Sequence, residues 1–141
     1  RAIAFYNKAT NSEQIVLQKG HVDPARPTLV RMHALSIFTD IFGKEGTGDR
    51  ALERAMEIIG AQGAGVIVMI PQPSSSFMSD QVRRLKGEDT GGVDALRDYG
   101  VGAQILTRLG VHEMELLTNS AHTLVALEGY GLSIVGERPL D

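Results

Sequence analysis

An arginine and a histidine stand two positions apart at the end of a short apolar run, residues 29–33 (LVRMH). Because side chains alternate along a strand, Arg31 and His33 are predicted to project from the same face. The planar guanidinium of arginine suits phosphate, so the pair could form an anion-binding surface. The alternative, which the spacing alone favours, is a structural arginine beside a partly buried histidine.

Two further segments lie where an α/β sheet commonly binds ligands. Residues 71–76 (PQPSSS) follow an apolar run of strand length, and their hydroxyls and amides could hold a phosphate. A solvated loop is the more usual structure for such a Pro/Ser stretch. Thr118 or Asn119 could cap a following helix and leave its backbone N–H groups free for an anion, with plain capping as the alternative.

The sequence offers few other groups for chemistry. It contains no cysteine, which excludes thiolate metal sites and a disulfide framework. His21, His112 and His122 are scattered and match no metal-binding spacing. Neither a Ser/His/Asp order nor a pair of close carboxylates indicates nucleophilic or acid–base catalysis.

Composition narrows the class of protein. The 141 residues are 43% hydrophobic and 22% charged, which predicts a single domain over residues 1–141. The net charge is −3 and the basic clusters are short, so nucleic acid is not an expected partner. No apolar run approaches the roughly 20 residues that cross a bilayer, so we expect a cytoplasmic protein without a membrane partner. Because the chain begins at Arg1 and enters a strand-like run at once, we expect it to be part of a longer protein.

The elements that position these residues alternate after an all-strand beginning. Apolar residues in alternation or in short continuous runs predict strands, and apolar residues at helical spacing predict helices. The predicted strands are residues 2–7, 14–19, 28–32, 65–70, 113–118 and 132–135, and the predicted helices are residues 50–61, 101–109 and 120–128. The strand at residues 65–70 (GVIVMI) is expected to be buried on both faces, and residues 71–92 are expected to be loose. The predicted fold class is α/β (α+β), a mixed β-sheet with flanking helices.

Several motifs together carry a resemblance to a known family. Residues 29–33 resemble a Leu-Val-Arg-Val-His segment, residues 97–106 read RDYGVGAQIL, and residues 127–134 read LEGYGLSI. Between the last two lie LGV at 109–111 and LLTN at 116–119. In this order the motifs are similar to those of GTP cyclohydrolase II, the enzyme that opens the imidazole ring of GTP at the start of riboflavin synthesis. The resemblance implies that family's fold from the first strand to the C-terminus.

The metal site of the family is the first place where this sequence departs from it. The resemblance implies a zinc ion on three cysteines spaced Cys-x10-Cys-x-Cys, which activates a water for attack on C8 of the purine. Counted without gaps from Arg31, those positions hold Ser36, Thr47 and Asp49. Neutral hydroxyls are poor zinc ligands, and only Asp49 is a plausible one, so these residues predict that zinc is absent and that no cofactor is bound.

Positions that contact the nucleotide in the family differ as well. The family's Glu-Gly-Arg motif corresponds to residues 74–76 (SSS), and the segment with its catalytic tyrosine is shorter here by about three helical turns. Arg97 matches the arginine proposed to attack the α-phosphate, but the partner aspartate falls on Ala95. Thr118 is retained, whereas the lysine of the family's phosphate region is replaced by Thr123.

The resemblance therefore implies a catalytically inactive domain of a riboflavin biosynthesis protein, with Arg97 as a vestige of the active site. In many bacteria such a domain follows 3,4-dihydroxy-2-butanone 4-phosphate synthase, so the expected partners are an N-terminal synthase domain in the same chain and a second copy in a homodimer. The role would be structural, dimerising or regulatory.

Two alternatives remain open. One is a module that binds a nucleotide, a flavin or another phosphorylated small molecule through Arg31, His33, Arg97 and Thr118. The other is an enzyme with altered, zinc-independent chemistry on a phosphorylated substrate.

Overall fold

The structure, a computed structural model, describes residues 1–43, 50–70, 77–88, 93–119, 127 and 130–141, without the side chains of residues 93–98. The strands in these ranges are β1 (Ala2–Asn7), β2 (Ser12–Lys19), β3 (Thr28–Ala34), β4 (Gly65–Ile70), β5 (Glu113–Leu117) and β6 (Ser133–Arg138). The α-helices are α1 (Ala51–Gln62), α2 (Phe77–Leu85) and α3 (Val93–Arg108), and a five-residue π-helix, Ile37–Ile41, follows β3. Within the same residues, no helix has the length and apolar character needed to cross a bilayer.

All six strands form one mixed sheet in the order β1-β2-β4-β3-β5-β6. The β1–β2 hairpin is antiparallel and pairs antiparallel with β4, whereas β4, β3, β5 and β6 run parallel to one another. The prediction of an α/β fold with a mixed sheet and flanking helices is confirmed. The parallel half brings the carboxyl ends of β3, β4 and β5 to the same end of the sheet, which we call the carboxyl edge.

Each face of the sheet has its own apolar core. Val30, Met32 and Val68 lie in the cluster that also contains Ala103 and Leu106 of α3. Leu29 and Ile67 belong to a second cluster with residues of α1. Because β4 contributes to both clusters, the continuous apolar run at residues 65–70 is buried on both faces, as predicted.

Two glycines allow the helices to pack closely against the sheet. A Cβ built on Gly65 would lie 2.9 Å from the Leu29 carbonyl oxygen and equally near the side chain of Ile59 on α1. A Cβ on Gly102, in the interior of α3, would overlap the terminal methyl of Met32. Both positions therefore exclude a side chain unless their neighbours shift.

The structure extends several predicted elements. The strands predicted at residues 14–19 and 28–32 extend to Ser12–Lys19 and Thr28–Ala34. The helix predicted at 101–109 instead spans Val93–Arg108, because Gly100 and Gly102 lie in its interior at places of close packing rather than at its start. The last strand was predicted at 132–135 but forms Ser133–Arg138, with an irregularity in its pairing with β5 between Met114 and Glu115.

The prediction that residues 71–92 are loose is wrong for the stretch that forms α2. Met78, Val82 and Leu85 have helical spacing, and the structure forms a helix there, between the Pro/Ser run and Gly87. Gln81 is the buried residue of α2, and its Oε1 accepts a hydrogen bond from the backbone N–H of Ile37 at 3.3 Å. The helix predicted at residues 120–128 lies outside the described residues, apart from Leu127.

Candidate functional site

The candidate site is the carboxyl edge, where ligands commonly bind in sheets with parallel strands. Ala34 of β3 is paired with Ile70 of β4 at this edge, and β5 ends at Leu117, one residue past the Val30–Leu116 pair. Arg31 and His33 alternate with the buried Val30 and Met32, which places them on the face of β3 that carries Leu29. The structure thus brings the predicted residues of β3 close to the end of β5.

A buried histidine–aspartate pair organises the turn after β3. His33 Nε2 lies 2.9 Å from Asp40 Oδ2, and the two side chains are 6% and 4% exposed. The same carboxylate oxygen accepts the backbone N–H of Ser36 at 2.8 Å. The other ring nitrogen of His33, Nδ1, is buried without a hydrogen-bond partner among the described residues. Because these bonds are internal, the cluster holds the π-helix against the strand and leaves little of the imidazole open to a ligand.

Arg31 connects β3 to the end of β5. Its NH1 donates a hydrogen bond to the Leu117 carbonyl oxygen at 3.1 Å, while its Nε is buried without a partner in the described part of the chain. Burial lowers the pKa of the Arg31 guanidinium, and electrostatic interactions with Tyr99 and Asp40 oppose that shift. Arg31 is thus a half-buried cation at the candidate site, and its NH1 is hydrogen-bonded within the protein.

Thr118 and Asn119 tie the end of β5 to the C-terminal segment. The backbone N–H of Thr118 donates to the Arg138 carbonyl oxygen at 3.0 Å, and Thr118 itself is buried. Asn119 Oδ1 accepts the backbone N–H of Leu140 at 2.9 Å, and its Nδ2 donates to the Asp141 carboxylate at 3.2 Å. Both residues therefore have a structural role. The helix that they were predicted to cap lies outside the described residues.

Several predicted site positions cannot be placed beside these. Ser36 is described, but Thr47, Asp49, residues 74–76 and Thr123 lie outside the described residues. Ala95 and Arg97 belong to the first turns of α3 by their backbone, and their side chains are not described. Within the described portion of the chain, no group of three or more His, Asp or Glu side chains could hold a metal ion.

The sequence patterns did not identify two polar residues of this region. Asp40 was not paired with His33, because it lies seven positions further along the chain, within the π-helix, and no spacing rule links the two. Gln81 was assigned to a loose segment, although it anchors α2 to the π-helix. The helical spacing of Met78, Val82 and Leu85 is the signal that would have located α2.

Comparison with known proteins places this geometry in context. The family model for GTP cyclohydrolase II matches residues 1–139. The chain is 38% identical over 147 residues to the monofunctional riboflavin biosynthesis protein RIBA 2, chloroplastic, of Arabidopsis thaliana, covering 99% of this chain and 31% of that protein. It is 37% identical over 151 residues to the riboflavin biosynthesis protein RibBA of Aquifex aeolicus, covering 97% of this chain and 37% of the relative.

A third relative, RibBA of Phocaeicola vulgatus, is 36% identical over 156 residues, covering 100% of this chain and 38% of that protein. The chain therefore spans about a third of the length of the curated relatives that it matches.

Proposed function

The chain belongs to the GTP cyclohydrolase II family, and we propose that it is a domain of a riboflavin biosynthesis protein that has lost GTP cyclohydrolase II activity. The names of its relatives support the pathway. The loss of activity is supported by one feature of the sequence: Ser36, Thr47 and Asp49 stand where the resemblance puts the family's three zinc-binding cysteines. In this proposal the domain has a structural, dimerising or regulatory role.

The donor set at these positions does not fit zinc. A thiolate supplies negative charge and a soft donor atom, whereas serine and threonine hydroxyls are neutral and hard. Around Ser36, the backbone N–H is bound to the buried Asp40 carboxylate, which His33 also contacts. We therefore assign no reaction step to a metal in this chain. Without a metal-activated water, the hydrolytic opening of the purine ring lacks its nucleophile.

Metal content and turnover test this proposal together. The purified protein is expected to contain no stoichiometric zinc by inductively coupled plasma mass spectrometry, and to release no formate from GTP, with or without added zinc. A cysteine-bearing RibBA, assayed in parallel, serves as the positive control. About one zinc per chain together with formate release would refute the proposal.

An exposed apolar surface supports a dimerising role. Met78, Val82 and Leu85 lie on one side of α2 and are all exposed, with Met78 at 67%. Phe42, 70% exposed, follows the π-helix that is hydrogen-bonded to α2 through Gln81. Exposed apolar side chains concentrated in this way mark contact surfaces. A second copy of this chain is the occupant that we propose, because a two-fold interface sets the same patch against itself.

Sedimentation velocity tests the dimer. The wild-type chain is expected to sediment as a dimer and Val82→Glu as a folded monomer, because the new carboxylate would be buried without a partner. Val135→Glu makes the same change at an exposed position of β6, away from α2, and is expected to remain dimeric. A wild-type chain that is monomeric over the full concentration range would rule out this interface.

The proposed function also includes a partner domain in the same chain. Because the curated relatives are about three times as long as the matched segment, we propose that a 3,4-dihydroxy-2-butanone 4-phosphate synthase domain accompanies this domain in its parent chain. A cytoplasmic location is part of the same proposal; it does not follow from the pathway alone, since the similar RIBA 2 is named as chloroplastic. Sequencing the parent gene upstream of the codon for Arg1 tests the first statement directly.

A second candidate function is nucleotide or flavin binding at the carboxyl edge without turnover. It is favoured by the half-buried cation Arg31, whose Nε has no partner in the described part of the chain. Isothermal titration calorimetry with GTP, GMP and flavin mononucleotide tests this candidate. Absence of both heat and thermal stabilisation across the three compounds would exclude it.

A further inference from the structure

A cleft of about 510 Å³ lies between the β1–β2 hairpin and the second half of α3. Its lining includes Phe5, Lys8 and Gln14 from the hairpin side and Gln104, Arg108 and Tyr130 on the other. Neither the carboxyl-edge residues on β3 nor Thr118 are among the described residues that line it. Its volume is within the range of small-molecule sites, about 300–1,000 Å³. We propose that this cleft binds a planar ring compound that carries a phosphate group.

The charge of the cleft favours an anion. Lys8 and Arg108 both line it, and the described lining contains no carboxylate. Neither cation forms an ion pair within the described portion of the chain. On a protein with a net charge of −3, this is a local concentration of uncompensated positive charge. A phosphate group between the two side chains would accept charge-assisted hydrogen bonds from both.

Aromatic rings in the lining favour a planar compound. The Tyr130 carbonyl oxygen accepts a hydrogen bond from the Thr107 hydroxyl at 3.3 Å. The Tyr130 hydroxyl lies against Gly100, where a built Cβ would be 2.9 Å from it. The side chain is thus held along α3, yet it remains 42% exposed. Together with the half-buried Phe5, it offers apolar surface against which a ring can pack.

Gln14 supplies a polar group that lacks a partner. Its Nε2 donates to the Ser12 hydroxyl at 3.1 Å, whereas its Oε1 is buried with no hydrogen-bond partner among the described residues. If the oxygen and nitrogen of the Gln14 amide exchange places, the nitrogen is the atom without a partner. A small rotation of the side chain would bring the amide to an N–H, hydroxyl or carbonyl group of a ligand. The amide would then select the orientation of the bound ring.

Titrations followed by NMR on the ¹⁵N-labelled chain test the proposal. The probes are adenosine 5′-monophosphate and flavin mononucleotide, each compared with its unphosphorylated counterpart, adenosine or riboflavin, and with inorganic phosphate. At least one phosphorylated compound is expected to shift the signals of Gln14, Gln104 and Arg108, and to bind more tightly than its counterpart and than phosphate alone.

Substitutions locate the site. The Lys8→Gln and Arg108→Gln variants are each expected to weaken binding by roughly three- to tenfold. Lys19→Gln, on β2 outside the cleft, is the matched control and is expected to bind as the wild type does. Gln14→Leu is expected to weaken binding while changing thermal stability little, because it removes both the buried unpaired oxygen and the hydrogen bond to Ser12.

Three outcomes would overturn the proposal. One is the absence of shifts with both phosphorylated compounds, and another is equally tight binding of the unphosphorylated compounds. The third is shifts confined to Arg31, His33 and their neighbours, which would assign the ligand to the carboxyl edge. The zinc and formate measurements are independent of these titrations, so the two proposals can fail separately.

Discussion

The interior of the sheet and its carboxyl edge differ in the kind of contact that their residues make. In the interior, residues such as Val30, Val68 and Leu106 are wholly or almost wholly buried among apolar neighbours. At the edge, His33, Asp40 and Arg31 make their polar contacts with other groups of the same chain. Polar side chains that could serve chemistry are thus engaged here in contacts within the protein itself.

The largest expected effect would come from placing cysteines at the three positions that match the zinc ligands of the family. The triple variant Ser36→Cys, Thr47→Cys, Asp49→Cys is expected to bind about one zinc per chain, with an affinity on the order of 10 kcal/mol if the three positions still converge. It is expected to release no formate from GTP, because residues 74–76 (SSS) and Thr123 carry none of the charges that the resemblance assigns to those positions. Metal analysis and a formate assay check both statements.

The matched control is the triple alanine variant at the same positions, which is expected to bind no zinc. If the cysteine variant also binds none, cysteines at these three positions are not sufficient to form a zinc site in this chain.

The next effect would come from the interior. Leu106→Ala is expected to lower the free energy of unfolding by about 3 kcal/mol, because it removes a fully buried side chain and leaves a cavity. Urea denaturation measures the change. Val135→Ala, at an exposed position of β6, is the control and is expected to change stability by less than about 0.5 kcal/mol.

A smaller loss is expected from the buried pair at the edge. Asp40→Ala leaves the Ser36 N–H and His33 Nε2 without their acceptor, which is expected to cost about 2 kcal/mol in urea denaturation. Asp23→Ala removes an exposed carboxylate and is expected to cost much less. An Asp40→Ala variant as stable as the wild type would mean that the pair is kept for some task other than folding.

The smallest effect is expected at Ser36. Its side chain makes no capping hydrogen bond to the π-helix, and the contact with Asp40 uses its backbone N–H. Ser36→Ala is therefore expected to change the free energy of unfolding by less than about 0.5 kcal/mol. A loss near that of Asp40→Ala would show that the hydroxyl itself contributes to the edge.

Regular alternation and continuous apolar runs in the sequence predicted the strands that they mark. The hairpin strand Ala2–Asn7 and the buried strand Gly65–Ile70 were placed with their observed bounds, because alternation in one and a continuous apolar run in the other are strong signals. The start of α3 was misplaced because Gly100 and Gly102 suggest a boundary until their close packing is known.

The sequence predicted only part of the candidate site. Arg31 and His33 could be assigned to one strand face from their spacing. Their partners, Asp40 and the Leu117 carbonyl group, are brought to them by the π-helix and by the pairing of distant strands. Such contacts depend on tertiary structure, which no spacing rule encodes.

The strand order also determines when different parts of the sheet can form during folding. β1 and β2 pair residues as near in sequence as Asn7 and Ser12, and a hairpin of this kind closes in about 1–10 μs. The pairing of Thr28 with Met114, by contrast, must close a loop that contains α1, β4, α2 and α3. We therefore expect the hairpin to form early and the parallel half of the sheet to limit the folding rate. Until β5 arrives, one edge of β3 stays unpaired, and newly made chains are most prone to associate wrongly in that interval.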